Sequence, residues 1–241
     1  MRKTYYTAVG HFRRKTNADG QSYPVILNNQ DEYLVDMQEM TVWTALNWRI
    51  ADFAQLEKEY DRLSWDCGAP AYRTLHDCLR RLVTRGLVAS GAGETDFEAL
   101  YNLIGGLYVA PLSESLPLRA TAFLKLVFLR GVPVSRAFSL FRRDRPSEAE
   151  ARIMALTRQE PLSTAELIKC EELGVRDVST GEKLMSALYD DDDTTSYNIP
   201  VRMRESKNAE SVTMAVANLY LRKLIIFERV CIDLPGPILA W

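Results

Sequence analysis

The chain has 241 residues, of which 47% are hydrophobic and 26% charged, a balance that excludes the disordered and fibrous classes and leaves room for two small cores. A formal net charge of -2 excludes a protein that is basic throughout, although residues 119–145 hold 7 Lys+Arg against 1 Asp+Glu and so form a local basic segment. Cys67, Cys78, Cys170 and Cys231 lie far apart and only His11 and His76 accompany them, so no zinc-ligand spacing, and no cofactor motif, is present. The opening Met1-Arg2-Lys3-Thr4-Tyr5-Tyr6 lacks the apolar core of a signal peptide, and no stretch is apolar for long enough to span a bilayer. A cytoplasmic, reducing environment is expected.

Thr4 to Phe12 is β-branched and aromatic and predicts a first strand; Arg13 to Gln21 is polar and predicts a loop around Asn17-Ala18-Asp19-Gly20. Tyr23 to Leu27 and Glu32 to Asp36 flank a polar tip and predict a hairpin. From Gln38 the apolar period becomes helical, with Met40, Trp43, Ala45, Leu46 and Ile50 near one side. Asp52 with Gln55 is a capping box for a second helix carrying Phe53, Leu56 and Tyr60, and Ser64 to Pro70 is expected as a loop. A third helix, about Ala71 to Arg85, buries Leu75, Cys78, Leu79, Leu82 and Val83 and turns Arg73, His76, Asp77, Arg80, Arg81 and Thr84 outward. An arginine fork on such a face can read guanine or hold phosphate, while the same pattern also describes a plain solvated helix.

This order, with the stretch Tyr33 to Leu46 leading the helices and Arg85-Gly86 running into Leu87-Val88, resembles the PqqD-like fold, a winged-helix relative, over roughly the first 90 residues. In that family a leader peptide adds as a strand beside the hairpin and against the third helix, a β-augmentation. The resemblance implies Glu32 to Asp36 as the edge and Arg73, His76 and Arg80 as the helix face.

Ser90 to Thr95 is small and polar and marks a linker, giving a winged-helix-like domain over 1–92 and a helical domain over 93–241. Helical patterns follow at Asp96 to Tyr108, Leu118 to Leu129 and Val134 to Arg142. Arg136, Arg142, Arg143 and Arg145 interleave with Phe138 and Phe141, which suits a nucleic-acid surface or a helix whose phenylalanines are core. Glu148 to Thr157, Ser163 to Leu173 with its Ser163 and Glu166 capping box, Glu182 to Tyr189 and Ser211 to Leu224 then repeat the earlier helical order, without opening strands, before a strand at Leu224 to Leu234. A second winged-helix-like unit over about 147–234 is expected, making the fold α+β and mainly helical. Asp190 to Asp193 lacks the glycine and distal glutamate of a calcium loop and is expected as a solvated loop, and the tail from Leu234 to Trp241 is apolar.

No nucleophile, base or paired-carboxylate signature is present, so no catalytic residue is assigned and the chain is not expected to be an enzyme. Two functions remain open. One is a transcription regulator that binds double-stranded DNA through Arg73, His76, Arg80, Arg81, Thr84, Arg136, Arg142 and Arg143. The other is a non-catalytic module of PqqD-like type that uses the same surface for a peptide or protein. A homodimer is compatible with either.

Overall fold

The opening β-branched and aromatic run forms β1 (Lys3–Ala8) and β2 (His11–Thr16) in a computed structural model that describes residues 2–67, 72–112, 146–191 and 193–229. Arg13 to Thr16, expected as loop, are strand because the chain turns beyond them and returns antiparallel as β3 (Ser22–Asn28). Asn29 and Gln30 adopt positive φ of 46° and 72°, the two-residue turn whose twist suits a hairpin. β4 (Asp31–Leu34) follows, and the sheet order is β2-β3-β4.

Helices α1 (Met37–Leu46), α2 (Phe53–Cys67) and α3 (Leu75–Thr84) come next. Asp36 with Glu39 caps α1, and Asp52 with Gln55 caps α2, each pair satisfying two amides that the first helical turn leaves free. Ser64 to Cys67, expected as loop, are the last turn of α2. At the end of α3, Gly86 takes φ 72° and Leu87 N donates to Leu82 O at 2.9 Å, a helix stop that requires a left-handed residue. The chain then enters β5 (Val88–Gly93), paired along β1, while Ala51 bridges Tyr6 on the other edge of β1.

The small residues expected to loosen a linker at Ser90 to Thr95 serve close packing instead. A Cβ on Gly91 would lie 2.1 Å from Leu103 N on α4 (Asp96–Ile104), so only a residue without a side chain lets helix and strand meet. Beyond α4 lie β6 (Tyr108–Pro111), α5 (Glu148–Thr157), β7 (Leu162–Ser163), α6 (Thr164–Leu173), α7 (Gly181–Leu188), α8 (Ile199–Met203), α9 (Ala209–Leu221) and β8 (Ile225–Glu228). Among the described residues the fold is mixed: nine helices and three antiparallel sheets, with no helix long and apolar enough to cross a membrane. The helices expected at Leu118 to Leu129 and Val134 to Arg142, and the apolar tail, lie outside the described residues.

Several contacts of the first half recur in the second. β6 lies between β7 and β8 as β1 lies between Ala51 and β5, so an opening strand is present after all. The sequence hid it because Tyr108 to Pro111 continues the apolar run of α4. Ser147 with Glu150 caps α5 as Asp36 with Glu39 caps α1, and Ser163 with Glu166 caps α6 as Asp52 with Gln55 caps α2. Leu224 N donates to Leu219 O at 3.0 Å, repeating the Leu87 to Leu82 bond, with Lys223 at φ 60° in the place of Gly86.

Asp191, exposed like its described neighbours Asp190 and Asp193, is nonetheless tied to the helix α6. Lys169, buried on α6, donates to Leu188 O at 2.6 Å, to Asp191 Oδ2 at 3.0 Å and to Thr194 Oγ1 at 3.1 Å. A buried ammonium needs such partners. The Thr194 hydroxyl and then Lys169 hold the Asp191 carboxyl down at about 2.

One tyrosine joins the halves. Tyr220, buried on α9, stacks on Phe227 with ring centroids 4.4 Å apart, while its hydroxyl accepts from Trp48 N at 2.9 Å and hydrogen-bonds with Thr7 Oγ1 at 2.9 Å. Trp48 sits at the exit of α1 with φ 55°. Tyr220→Phe leaves the Trp48 N–H without its partner and should cost about 1–3 kcal/mol in urea unfolding; Tyr72→Phe, at an exposed site, should cost nothing. Equal midpoints for the two variants would remove Tyr220 from this role.

Acid sensitivity follows from the carboxylates held low. Arg62 and then Arg49 depress the Glu59 carboxyl to about 2. A depressed folded pKa contributes stability above the unfolded value, and that contribution is lost as pH falls through the folded one. The thermal midpoint should therefore fall as pH drops from about 4.5 to about 2, and Glu59→Gln should start lower and fall less. A parallel fall in both proteins would show that Glu59 carries none of it.

Candidate functional site

Of the expected site residues, Arg73, His76, Arg80, Arg81 and Thr84 are described, and they lie on or just before α3, beside β4. Arg73 is expected on the third helix; it precedes α3, because Thr74 Oγ1 accepts from Asp77 N at 3.1 Å and starts the helix there. Its guanidinium pairs with Asp36, and its backbone N–H and C=O are both held by the Gln38 side chain, at 3.1 and 2.6 Å. His76, Arg80, Arg81 and Thr84 are exposed on α3 as expected. The His76 ring lies 6.3 Å from that of Phe53. The Thr84 hydroxyl donates to Arg80 O at 2.9 Å.

Acids answer every arginine on this face. Arg80 Nη2 lies 2.7 Å from Asp77 Oδ1. Glu39, 2% exposed, accepts from Arg81 Nε at 2.8 Å and from Arg85 Nη1 at 3.1 Å while also closing the capping box of α1. Arg85 further donates to Leu34 O at 2.5 Å and stands 5.9 Å over the Tyr33 ring, which fixes β4 beside α3. The Thr74 hydroxyl, outweighing burial, and Arg80 set the Asp77 carboxyl below its usual range. Burial pushes the Asp36 carboxyl up, but the Glu39 amide and Arg73 together bring it below its usual range. The face thus sets four arginines against three carboxylates, which offset most of its positive charge.

β4 is an edge strand, hydrogen-bonded to β3 alone within its sheet. In a hairpin with a two-residue turn, Asn28 opposite Asp31 and Ile26 opposite Tyr33 exchange ladder bonds, so the amides and carbonyls of Glu32 and Leu34 point away from β3. Arg85 takes the Leu34 carbonyl. The remaining outward groups belong to Glu32 and to the Leu34 N–H, flanked by the exposed side chains of Leu34 and Met37. Such an edge is a template for another strand.

Glu39 and Arg85 are the site residues that composition and periodicity did not single out. The capping spacing from Asp36 to Glu39 was a readable signal for the first, and the helix exit marked Arg85 as a turn residue only. Arg136, Arg142 and Arg143 lie outside the described residues. Cys78 and Cys170 are buried thiols, and burial raises both, Cys170 to about 12.

Glu39→Ala removes two ion pairs and half of a capping box at once. We expect a loss of about 2–3 kcal/mol in chemical unfolding, against less than about 0.5 kcal/mol for Asp77→Ala at an exposed pair. Equal, small losses would mean that Glu39 does not hold α3 in place. Comparison of the chain with protein-family models, with curated proteins and with solved structures finds no match.

Proposed function

We propose that this chain is a non-catalytic binding module of PqqD-like, winged-helix type, and that a peptide segment of its partner adds as a strand along β4 beside α3. One observation carries this reading: β4 keeps outward backbone groups at Glu32 and Leu34 next to α3, on a face whose arginines are answered by Asp36, Glu39 and Asp77. Main-chain bonds along an open edge give affinity, and the exposed Leu34 and Met37 beside it offer apolar contact for alternate side chains.

Selection of peptides from a random display library on the full chain tests this. Enriched peptides should lose at least about tenfold in affinity against Leu34→Pro, which removes an outward N–H without removing a ladder bond. Far-ultraviolet circular dichroism should stay unchanged. An empty selection, or peptides indifferent to Leu34→Pro, would refute the augmentation.

Duplex DNA is the second reading, favoured by the Arg80 and Arg81 side chains, which remain 69% and 54% exposed beside His76 and Thr84. A transcription regulator of this kind would bind mixed-sequence duplex at low salt, weakening steeply as salt rises through counterion release. The offset charge of this face leads us to expect no anisotropy change with such a duplex at about 50 mM salt. Saturable binding lost in Arg80→Glu would reverse the order of the two readings.

A further inference from the structure

Where the first half places a buried carboxamide, the second half has an alanine beside a cavity. In the first half Gln38, the second residue of α1, is 2% exposed; its Nε2 donates to Tyr60 Oη at 3.0 Å and Arg73 O at 2.6 Å, and its Oε1 accepts from Arg73 N at 3.1 Å. One carboxamide therefore ties α1 to α2 and to the entry of α3. Counted from the matching caps, Ala149 holds the place of Gln38 on α5 and Glu171 holds the place of Tyr60 on α6. A methyl group cannot span that distance. The space between α5, α6 and α9 is a cavity of about 230 Å³ lined by Ala149, Ile153, Leu167 and Val212, with Arg152, Glu171, Asn208 and Ser211 as its polar walls.

Arg152 and Glu171 give this cavity both kinds of hydrogen-bonding group and opposite charges. Arg152 Nη2 lies 2.9 Å from Glu171 Oε1, its Nε donates to Glu171 Oε2 at 3.2 Å, and its Nη1 donates to Glu148 Oε1 at 2.7 Å, while Arg176 Nη1 donates to Glu171 Oε2 at 3.3 Å from outside the cavity lining. A guanidinium has five N–H donors and a carboxylate about four acceptor positions, so each keeps capacity for a further partner. An amide carbonyl suits the first and an amide N–H the second. A carboxylate ligand would meet Glu171, and an ammonium would meet Arg152.

We propose that this cavity is a binding site for a primary carboxamide on a short aliphatic stem, namely a glutamine side chain presented by a partner polypeptide. The first half shows the same chemistry filling the same place with its own residue; the second half leaves that place to another chain. The apolar lining of Ile153, Leu167 and Val212 takes the methylenes, and the Arg152 and Glu171 pair takes the amide. This site lies in the other half from β4 and does not rest on strand addition there.

Nuclear magnetic resonance titration of the full chain with N-acetylglutamine methylamide tests the proposal, with N-acetylglutamate methylamide as the control. A ligand of this size should bind with Kd on the order of 1 mM and shift the amides of Ile153, Leu167 and Val212. The glutamate probe should bind at least about tenfold more weakly, because its charge faces Glu171. Ala149→Gln supplies the missing carboxamide from within and should abolish the shifts; Ala149→Met fills the space without an amide and serves if the first variant does not fold. Absence of shifts at about 50 mM probe, equal binding of the two probes, or binding retained in a folded filled variant would overturn the assignment.

Discussion

A buried carboxylate at the third position of the first helix holds each half of this protein together. Glu39 and Glu150 are 2% and 5% exposed, and burial of an unpaired charge at that depth would be prohibitive. Each is satisfied from two directions: by the amide at its own helix start, and by an arginine from the end of the third helix, Arg85 at 3.1 Å and Arg222 at 3.0 Å. The bond fixes where that helix stops relative to where the first begins. The exit turn, the entry of the following strand and its pairing with the central strand all follow from that placement. Buried pairs of this kind add little net stability over an apolar substitute, yet breaking one strands its partners, so the contact specifies geometry more than it deepens the energy minimum.

The same contact limits what the surface can do. In the first half Glu39 engages Arg81 as well as Arg85, so two of the cations on or beside α3 share one buried carboxylate. Their charge is offset where a polyanion would need it, and Arg85 is drawn onto the carbonyl of Leu34. Stability of the third helix and the offset charge of its face share one cause. The peptide binding proposed above rests on an open strand edge beside such a face, an argument from charge rather than from shape.

Much of this was legible in the sequence because it is local. Capping boxes need residues three apart, and those at Asp52 and Ser163 mark their helices to within a residue. Helix periodicity located α1, α3, α5 and α9 for the same reason. What local pattern could not carry is pairing between distant strands. Gly91 and Gly93 read as linker because small residues serve both flexibility and close approach, and only the packing of α4 on β5 separates the two. β6 has no local signature, because Tyr108 to Pro111 continues the apolar run of α4 and its partners, Leu162 and Phe227, are far away in the chain. Among the candidate site residues, exposure on α3 was readable from the 3.6-residue period, whereas neutralisation was not, since Asp36 and Glu39 meet the arginines across more than a helix of intervening chain.

The repeat shows which features the architecture requires and which it leaves free. Caps, the buried glutamate, the exit turn and the central strand recur in both halves even where residue types differ, Asp36 against Ser147 and Gly86 against Lys223. Lys223 bears a positive φ that glycine would adopt at less cost, and its ammonium lies 5.3 Å over the Trp48 ring, a contact between the halves that glycine could not make. The faces diverge: where α3 presents Asp77 and Thr84, the matching positions of α9 are the partly exposed Met214 and Leu221. Interior geometry is thus held by a few polar contacts of fixed spacing, and each surface is free to take its own chemistry. Tyr220 couples the two, because the helix that carries the apolar face also anchors the α1 exit of the half that carries the charged one.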